Sequence, residues 1–232
     1  MSRQSKILIS VIILVVLAAA VIGCGGTKTQ SLAPADIVSQ SSTKMQALNA
    51  YHFLLDHVGG GTPIGLVEMK KAEGDVVRPD KLKASITGTV SGMTVLVQII
   101  SVGKVLKMTN PLSGNWETPS SSFSVLSIFD PNSGIAAILK GLANPSKLDD
   151  AQEGGVLCYH LSGSIQSENL NAITGSSATG TSISTQLWVG KDDLLMRKVQ
   201  LTGKITDTEV QGIVRTLSLS NFNAAITIDL PQ

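Results

Sequence analysis

The residues with which this chain could do chemistry are few: two cysteines, three histidines, and serines that fall three positions before a lysine. Ser41-Ser42-Thr43-Lys44 fits S-x-x-K, the acyl-enzyme motif of penicillin-binding proteins, but no S-D-N or K-T-G partner follows. Ser101-Val102-Gly103-Lys104 fits the same loose pattern. No G-x-S-x-G nucleophile elbow is present. His52 and His57 lie five apart on an expected strand and so face opposite ways, and His160 stands by itself on another. Zinc needs His and Cys at closer ligand spacing. Asp149-Asp150 and Asp192-Asp193 are acidic pairs in expected turns, where Asp hydrogen-bonds its own backbone. These residues predict neither an enzyme, nor a metal site, nor a bound cofactor.

The cysteines carry more. Arg3 and Lys6 precede a nearly unbroken apolar run over residues 7–22, followed by Val21-Ile22-Gly23-Cys24. A charged start, an apolar run shorter than the roughly 20 residues that span a bilayer, and a small residue before cysteine make a secretory signal ending in a lipobox. Residues 1–23 are therefore expected to be removed and Cys24 acylated. Two acyl chains on one thiol hold a protein durably to a membrane, here on the extracytoplasmic side of the cell membrane. Residues 24–33 read as the acylated cysteine and a flexible tether, and residues 34–232 as a single domain. With Cys24 acylated, Cys158 is left with no disulfide partner. It sits in Val156-Leu157-Cys158-Tyr159-His160-Leu161 and is expected to be a small buried hydrophobe.

These groups would be positioned by an α+β domain. Pro34 opens a helix in which Ile37, Ser41, Met45 and Leu48 recur at helical spacing. A strand over Tyr51–Val58 ends at Gly59-Gly60-Gly61, and the chain from Leu66 to Met108 reads as an antiparallel meander. Within it Leu82, Ala84, Ile86, Gly88 and Val90 alternate with polar residues, and Ser91-Gly92 turns into Met93–Val102, which is apolar on both faces. A Pro/Ser-rich loop over Thr118–Ser122 leads into Phe123–Phe129. Ser133 is expected to cap a helix with Ile135, Ile138, Leu139 and Leu142 inward, ended by Asn144-Pro145. Strands are expected over Val156–Ile165, Ile183–Val189, Leu194–Ile205 and Gln211–Phe222, with a short helix capped by Ser167 that turns Leu170 and Ile173 inward.

Composition narrows the partners. Eighteen Lys+Arg against 17 Asp+Glu, with no basic run, argue against nucleic acid. Two Trp, two Tyr and four Phe leave few rings to stack on sugars, whereas aliphatic side chains are abundant.

The order of parts resembles the LppX/LprA/LprF/LprG family of bacterial lipoproteins. The match is carried by the lipobox, the first helix and meander, and Asp130-Pro131-Asn132-Ser133-Gly134-Ile135-Ala136-Ala137-Ile138-Leu139 at the middle helix. Leu187-Trp188-Val189 before the Asp192-Asp193-Leu194 turn extends it. The resemblance implies a half-open antiparallel barrel, a U-shaped sheet with helices on its concave side and an apolar cavity between. It implies binding of acylated lipids or lipoglycans, carriage across the envelope, and an efflux transporter as protein partner. The cavity-lining candidates are Leu82, Ala84, Ile86, Gly88, Val90, Val95, Val97, Ile135, Ile138 and Leu139. A non-transporting structural or sensor lipoprotein with a filled core is the alternative that the same residues allow.

Overall fold

A computed structural model describes residues 32–64, 66–119, 134–171 and 177–231. Residues 33–232 form one compact unit. The expected signal, Cys24 and the tether up to residue 31 lie outside the described residues, as do Phe123–Phe129, the Ser133 cap and Ile173.

Helix α1 (Pro34–Gln46) follows the expected pattern: Pro sits in its first turn, Asp36 near its N-terminus and Lys44 near its C-terminus, matching the helix dipole. Ile37, Val38, Ser41, Ser42 and Met45 are buried along one stripe. Its C-terminus is tied down from elsewhere in the chain. Arg78 Nη1 donates to the carbonyls of Met45, Gln46 and Leu48 at 2.9–3.0 Å, satisfying acceptors that a helix end leaves open. The same guanidinium lies over the ring of buried Tyr51, 5.6 Å from its centroid.

The strands are β1 (Ala50–Val58), β2 (Thr62–Ile64), β3 (Val67–Val77), β4 (Lys81–Val90), β5 (Met93–Val102), β6 (Val105–Thr109), β7 (Trp116–Glu117), β8 (Ala143–Lys147), β9 (Ala151–Glu153), β10 (Val156–Gln166), β11 (Ser182–Gly190), β12 (Met196–Thr202) and β13 (Val214–Ser220). They form one open, curved, antiparallel sheet in the order β7-β6-β5-β4-β3-β1-β13-β12-β11-β10-β8, with β2 on β3 and β9 on β10. The pairing of β1 with β13, from His52↔Ser220 to Val58↔Val214, joins an N-terminal meander to a C-terminal one. Ser91 and Gly92, with φ of 50° and 82°, make the expected tight turn between β4 and β5.

The middle of the chain departs from expectation. Helix α2 (Ile135–Lys140) stops before Asn144-Pro145, and those two residues lie in the edge strand β8. An edge strand has a free side, so a proline without N–H is tolerated there. Asn144 takes φ of 50°, and the β8–β10 register shifts between Ser162 and Ser164 at this point. Gly163 lies opposite: a Cβ there would come within 2.7 Å of the Ala143 carbonyl oxygen. Ser167 opens a 3-10 helix (Ser167–Leu170) rather than capping one, and its hydroxyl donates to the Ala178 carbonyl. The last two strands are shorter than expected because Leu194 turns at φ of 58° and residues 203–213 form a loop.

α1 packs on α2 and on β8, and α2 on the 3-10 helix.

Candidate functional site

Strand register assembles one apolar row across eight strands. Val97 faces Ile86, Ile86 faces Ala72, Ala72 faces Leu55, and Leu55 faces Leu217. Leu217 then faces Val199, Val199 faces Leu187, and Leu187 faces Leu161. At about 4.8 Å per strand the row runs on the order of 34 Å along the curve of the sheet. Side chains alternate between faces, so the neighbouring row points the other way: Gln98, Ser85, Glu73, Leu54, Ser218, Lys198, Trp188 and His160. That second row is polar apart from Leu54 and Trp188. Along this register one face of the sheet carries an aliphatic row and the other a largely polar one.

Coverage of the apolar row is uneven. Val97, Ile86 and Ala72 at one flank are buried, as are Val199, Leu187 and Leu161 at the other. Leu55 and Leu217, on the two strands that join the meanders, are only half-buried. The apolar face is thus packed at its sides and partly open in the middle.

Of the candidates named from sequence, those on β4 and β5 lie on this face, whereas those on α2 belong to a helix that packs on α1 and the 3-10 helix. Leu82, Ala84, Ile86 and Gly88 are buried on one side of β4, with Val90 half-buried at its end. Val95 and Val97 lie beside them on β5, paired with Gly88 and Ile86. Ile135, Ile138 and Leu139 are buried on α2. Gly88 does not open space. A Cβ there would lie 2.5 Å from the Glu68 carbonyl oxygen and 2.6 Å from Val67 Cγ1, so glycine admits a close approach of β3, where the register shifts between Met69 and Lys71. The sequence reading missed the contributions of Leu55, Leu217, Val199, Leu187 and Leu161. Their alternation was visible, but only register aligns them.

A polar cluster that the sequence did not signal is buried at one end of this face. Arg215 and Glu209 form an ion pair with side chains 3 % and 0 % exposed. Arg215 also donates from Nε to Thr62 Oγ1 at 3.2 Å and from Nη1 to the Gly203 carbonyl at 3.1 Å. Glu209 Oε2 accepts the backbone N–H groups of Ile205 and Thr206. His57 Nε2 meets Thr62 Oγ1 at 2.9 Å, and its Nδ1 meets the Lys70 carbonyl at 3.0 Å. Since the ring must donate to that carbonyl, Nε2 is its acceptor and the neutral tautomer fits. Burial, and secondarily the Arg215 charge, lower the His57 pKa below its usual value. The network ties the loop after β12 to the segment after β1.

The nucleophile candidates are poorly placed. Ser41 is fully buried on α1 while Lys44 is exposed, so the S-x-x-K pair does not meet. Ser101 is buried and Lys104 exposed in the same way. Cys158 is buried, and burial raises its thiol pKa, which keeps it protonated. His160 stacks on Trp188 at 4.3 Å between ring centroids and meets Gln186 at 2.8 Å. His52 pairs with Asp75 at 2.8 Å on the polar face. Among the described residues, no group of three or more His, Cys, Asp or Glu side chains could hold a metal ion, and no helix is long and apolar enough to cross a membrane.

The model of the LppX_LprAFG lipoprotein family matches residues 33–228, almost the whole compact unit. The chain belongs to this lipoprotein family. The lipoarabinomannan carrier protein LprG of Mycobacteroides abscessus is 22% identical over 233 residues, covering 98% of this chain and 99% of that one. Among solved structures, LprF from Mycobacterium bovis superposes with a TM-score of 0.67 at 16% identity, covering 85% of this chain and 96% of that one. LppX from Mycobacterium tuberculosis gives 0.61 at 16% identity, over 84% and 97%. At such identities the structures establish a shared fold: the half-open antiparallel barrel of the α+β class expected from the sequence.

Proposed function

We propose that this family member is a carrier that holds acylated lipid or lipoglycan against the apolar face of its sheet and moves it across the cell envelope. In this reading residues 1–23 are the signal and Cys24 bears the lipid that holds the protein to the extracytoplasmic side of the cell membrane. Residues 24–33 are the tether, residues 34–232 bind the ligand, and an efflux transporter is the protein partner. The observation that carries the reading is the apolar row across eight strands, open in its middle at Leu55 and Leu217. Lifting acyl chains from a bilayer into water costs roughly 0.8 kcal/mol per methylene. A carrier must offer aliphatic surface in exchange and needs no catalytic group. The likeness to a lipoarabinomannan carrier supports a lipid or glycolipid ligand.

The test is mass spectrometry of lipids that co-purify with the protein, repeated on Leu217→Trp. A ring at this half-open position should fill ligand space, so bound lipid should fall while stability holds. A parent protein that never carries lipid would instead favour an envelope structural or sensor lipoprotein with a filled core. Palmitate labelling that survives Cys24→Ala would refute the anchor.

A further inference from the structure

The large hydrophobic side chains left exposed are unevenly distributed between the two ends of the sheet. Val58 closes β1, Leu66 sits in the turn between β2 and β3, Met93 opens β5, and Val210 lies in the loop between β12 and β13. The pairings Val58↔Val214, Ile64↔Val67, Glu68↔Thr89 and Val90↔Met93 put all four at the same end. Leu112 joins them from the β6–β7 loop, which turns back toward that end. These five are 51–87% exposed, whereas Val105, Leu148 and Leu157 at the opposite end are 39–47% exposed.

We propose that this end of the sheet is a bilayer-docking surface whose apolar turn tips enter the lipid headgroup–acyl boundary. Three observations favour a lipid surface over a protein partner. The tips stand on five separate turns around a curved edge and do not form one face. A protein partner needs a contiguous patch of roughly 800 Å², whereas fluid lipid moulds around separated tips and takes apolar groups about 5–10 Å deep. One tip is also continuous with the apolar side of the sheet, because Met93 pairs with half-buried Val90 on that side. Finally, the tips are held out by built structure. The buried network of His57, Thr62, Arg215 and Glu209 includes the residues immediately before Val58 and Val210 in the chain. Gly60 packs so closely that a Cβ on it would come within 2.8 Å of Val210 Cγ2. Next to Leu66, the charges of Glu68 and Lys70 pair at 2.7 Å and add no net charge there. Docking of this kind concerns how the protein meets a bilayer, and it holds or fails independently of whether a lipid is carried.

The experiment uses the chain purified from membranes and reconstituted in palmitoyl-oleoyl phosphatidylcholine vesicles. Single Leu66→Cys, Val210→Cys and Val105→Cys variants are labelled with bimane and corrected for labelling of the parent. Bimane at 66 and 210 should be quenched by a spin label high on the acyl chain and shielded from aqueous iodide, with the reverse at 105. Adding Leu66→Asp and Val210→Asp to a Met93→Cys variant should abolish lipid quenching at 93, with circular dichroism unchanged at these exposed sites. Iodide quenching as strong at 66 and 210 as at 105 overturns the proposal. Shielding from iodide without lipid quenching also overturns it, in favour of a protein partner.

Discussion

The Arg215 guanidinium lies against the Glu209 carboxylate with both side chains essentially out of solvent, at 3 % and 0 % exposure. Two charges withdrawn from water are tolerated because each has further partners: Thr62 and Gly203 for the arginine, the Ile205 and Thr206 N–H groups for the glutamate. Removing one partner strands the other charge.

Arg215→Met should therefore destabilise the protein by roughly 3–5 kcal/mol, since Glu209 is left buried and unpaired. Arg215→Met combined with Glu209→Gln should recover much of the loss, because the amide oxygen can still accept the two loop N–H groups. Denaturant unfolding of both variants checks this. A single variant as stable as the parent would mean that water already reaches the pair.

His57 gives the network a pH dependence. Its folded pKa is lowered, chiefly by burial and then by Arg215. A proton therefore binds the unfolded chain more readily than the folded one. The stability that neutral His57 contributes is complete above its unfolded value of about 6.5 and is lost as pH falls through the folded pKa. Stability measured from pH 7.5 downward should drop, and His57→Gln should flatten that part of the curve.

Gly88 tests whether the smallest residue on β4 leaves room for ligand or for backbone. Its missing Cβ would lie 2.5 Å from the Glu68 carbonyl oxygen. Gly88→Ala should force β3 and β4 apart and cost roughly 1–3 kcal/mol. A thermally unchanged variant that loses lipid would show the space beside Gly88 to be ligand space.

Arg78 is the clamp on α1. Arg78→Leu removes three hydrogen bonds to the helix carboxy terminus and should cost roughly 1.5–3 kcal/mol, as charged donors to carbonyls do. Hydrogen exchange should show α1 amides losing protection before those of β1 and β3. Equal loss in helix and sheet would mean that α1 and the sheet open as one unit.

Local patterns were legible because they depend only on neighbours in the chain. The period of two over Leu82 to Val90 marked the buried face of β4, and Ser91-Gly92 marked its turn. The i, i+4, i+8 spacing of Ile37, Ser41 and Met45 marked the buried stripe of α1. Asn144-Pro145 misled because the same dipeptide that ends a helix also suits an edge strand with a free side. Only the paired sheet shows which of these applies.

The sequence by itself determined the α+β class, the family and the strand that presents Ile86 and Ala84 inward. Tertiary structure alone decided that β1 and β13, more than 150 residues apart, lie side by side and set Leu55 opposite Leu217. It likewise decided that Thr62, Glu209 and Arg215 share one buried site. Alternation tells each strand which side chains face together. Which strand lies next to which is fixed by long-range hydrogen-bond register, and that has no local signature in the sequence.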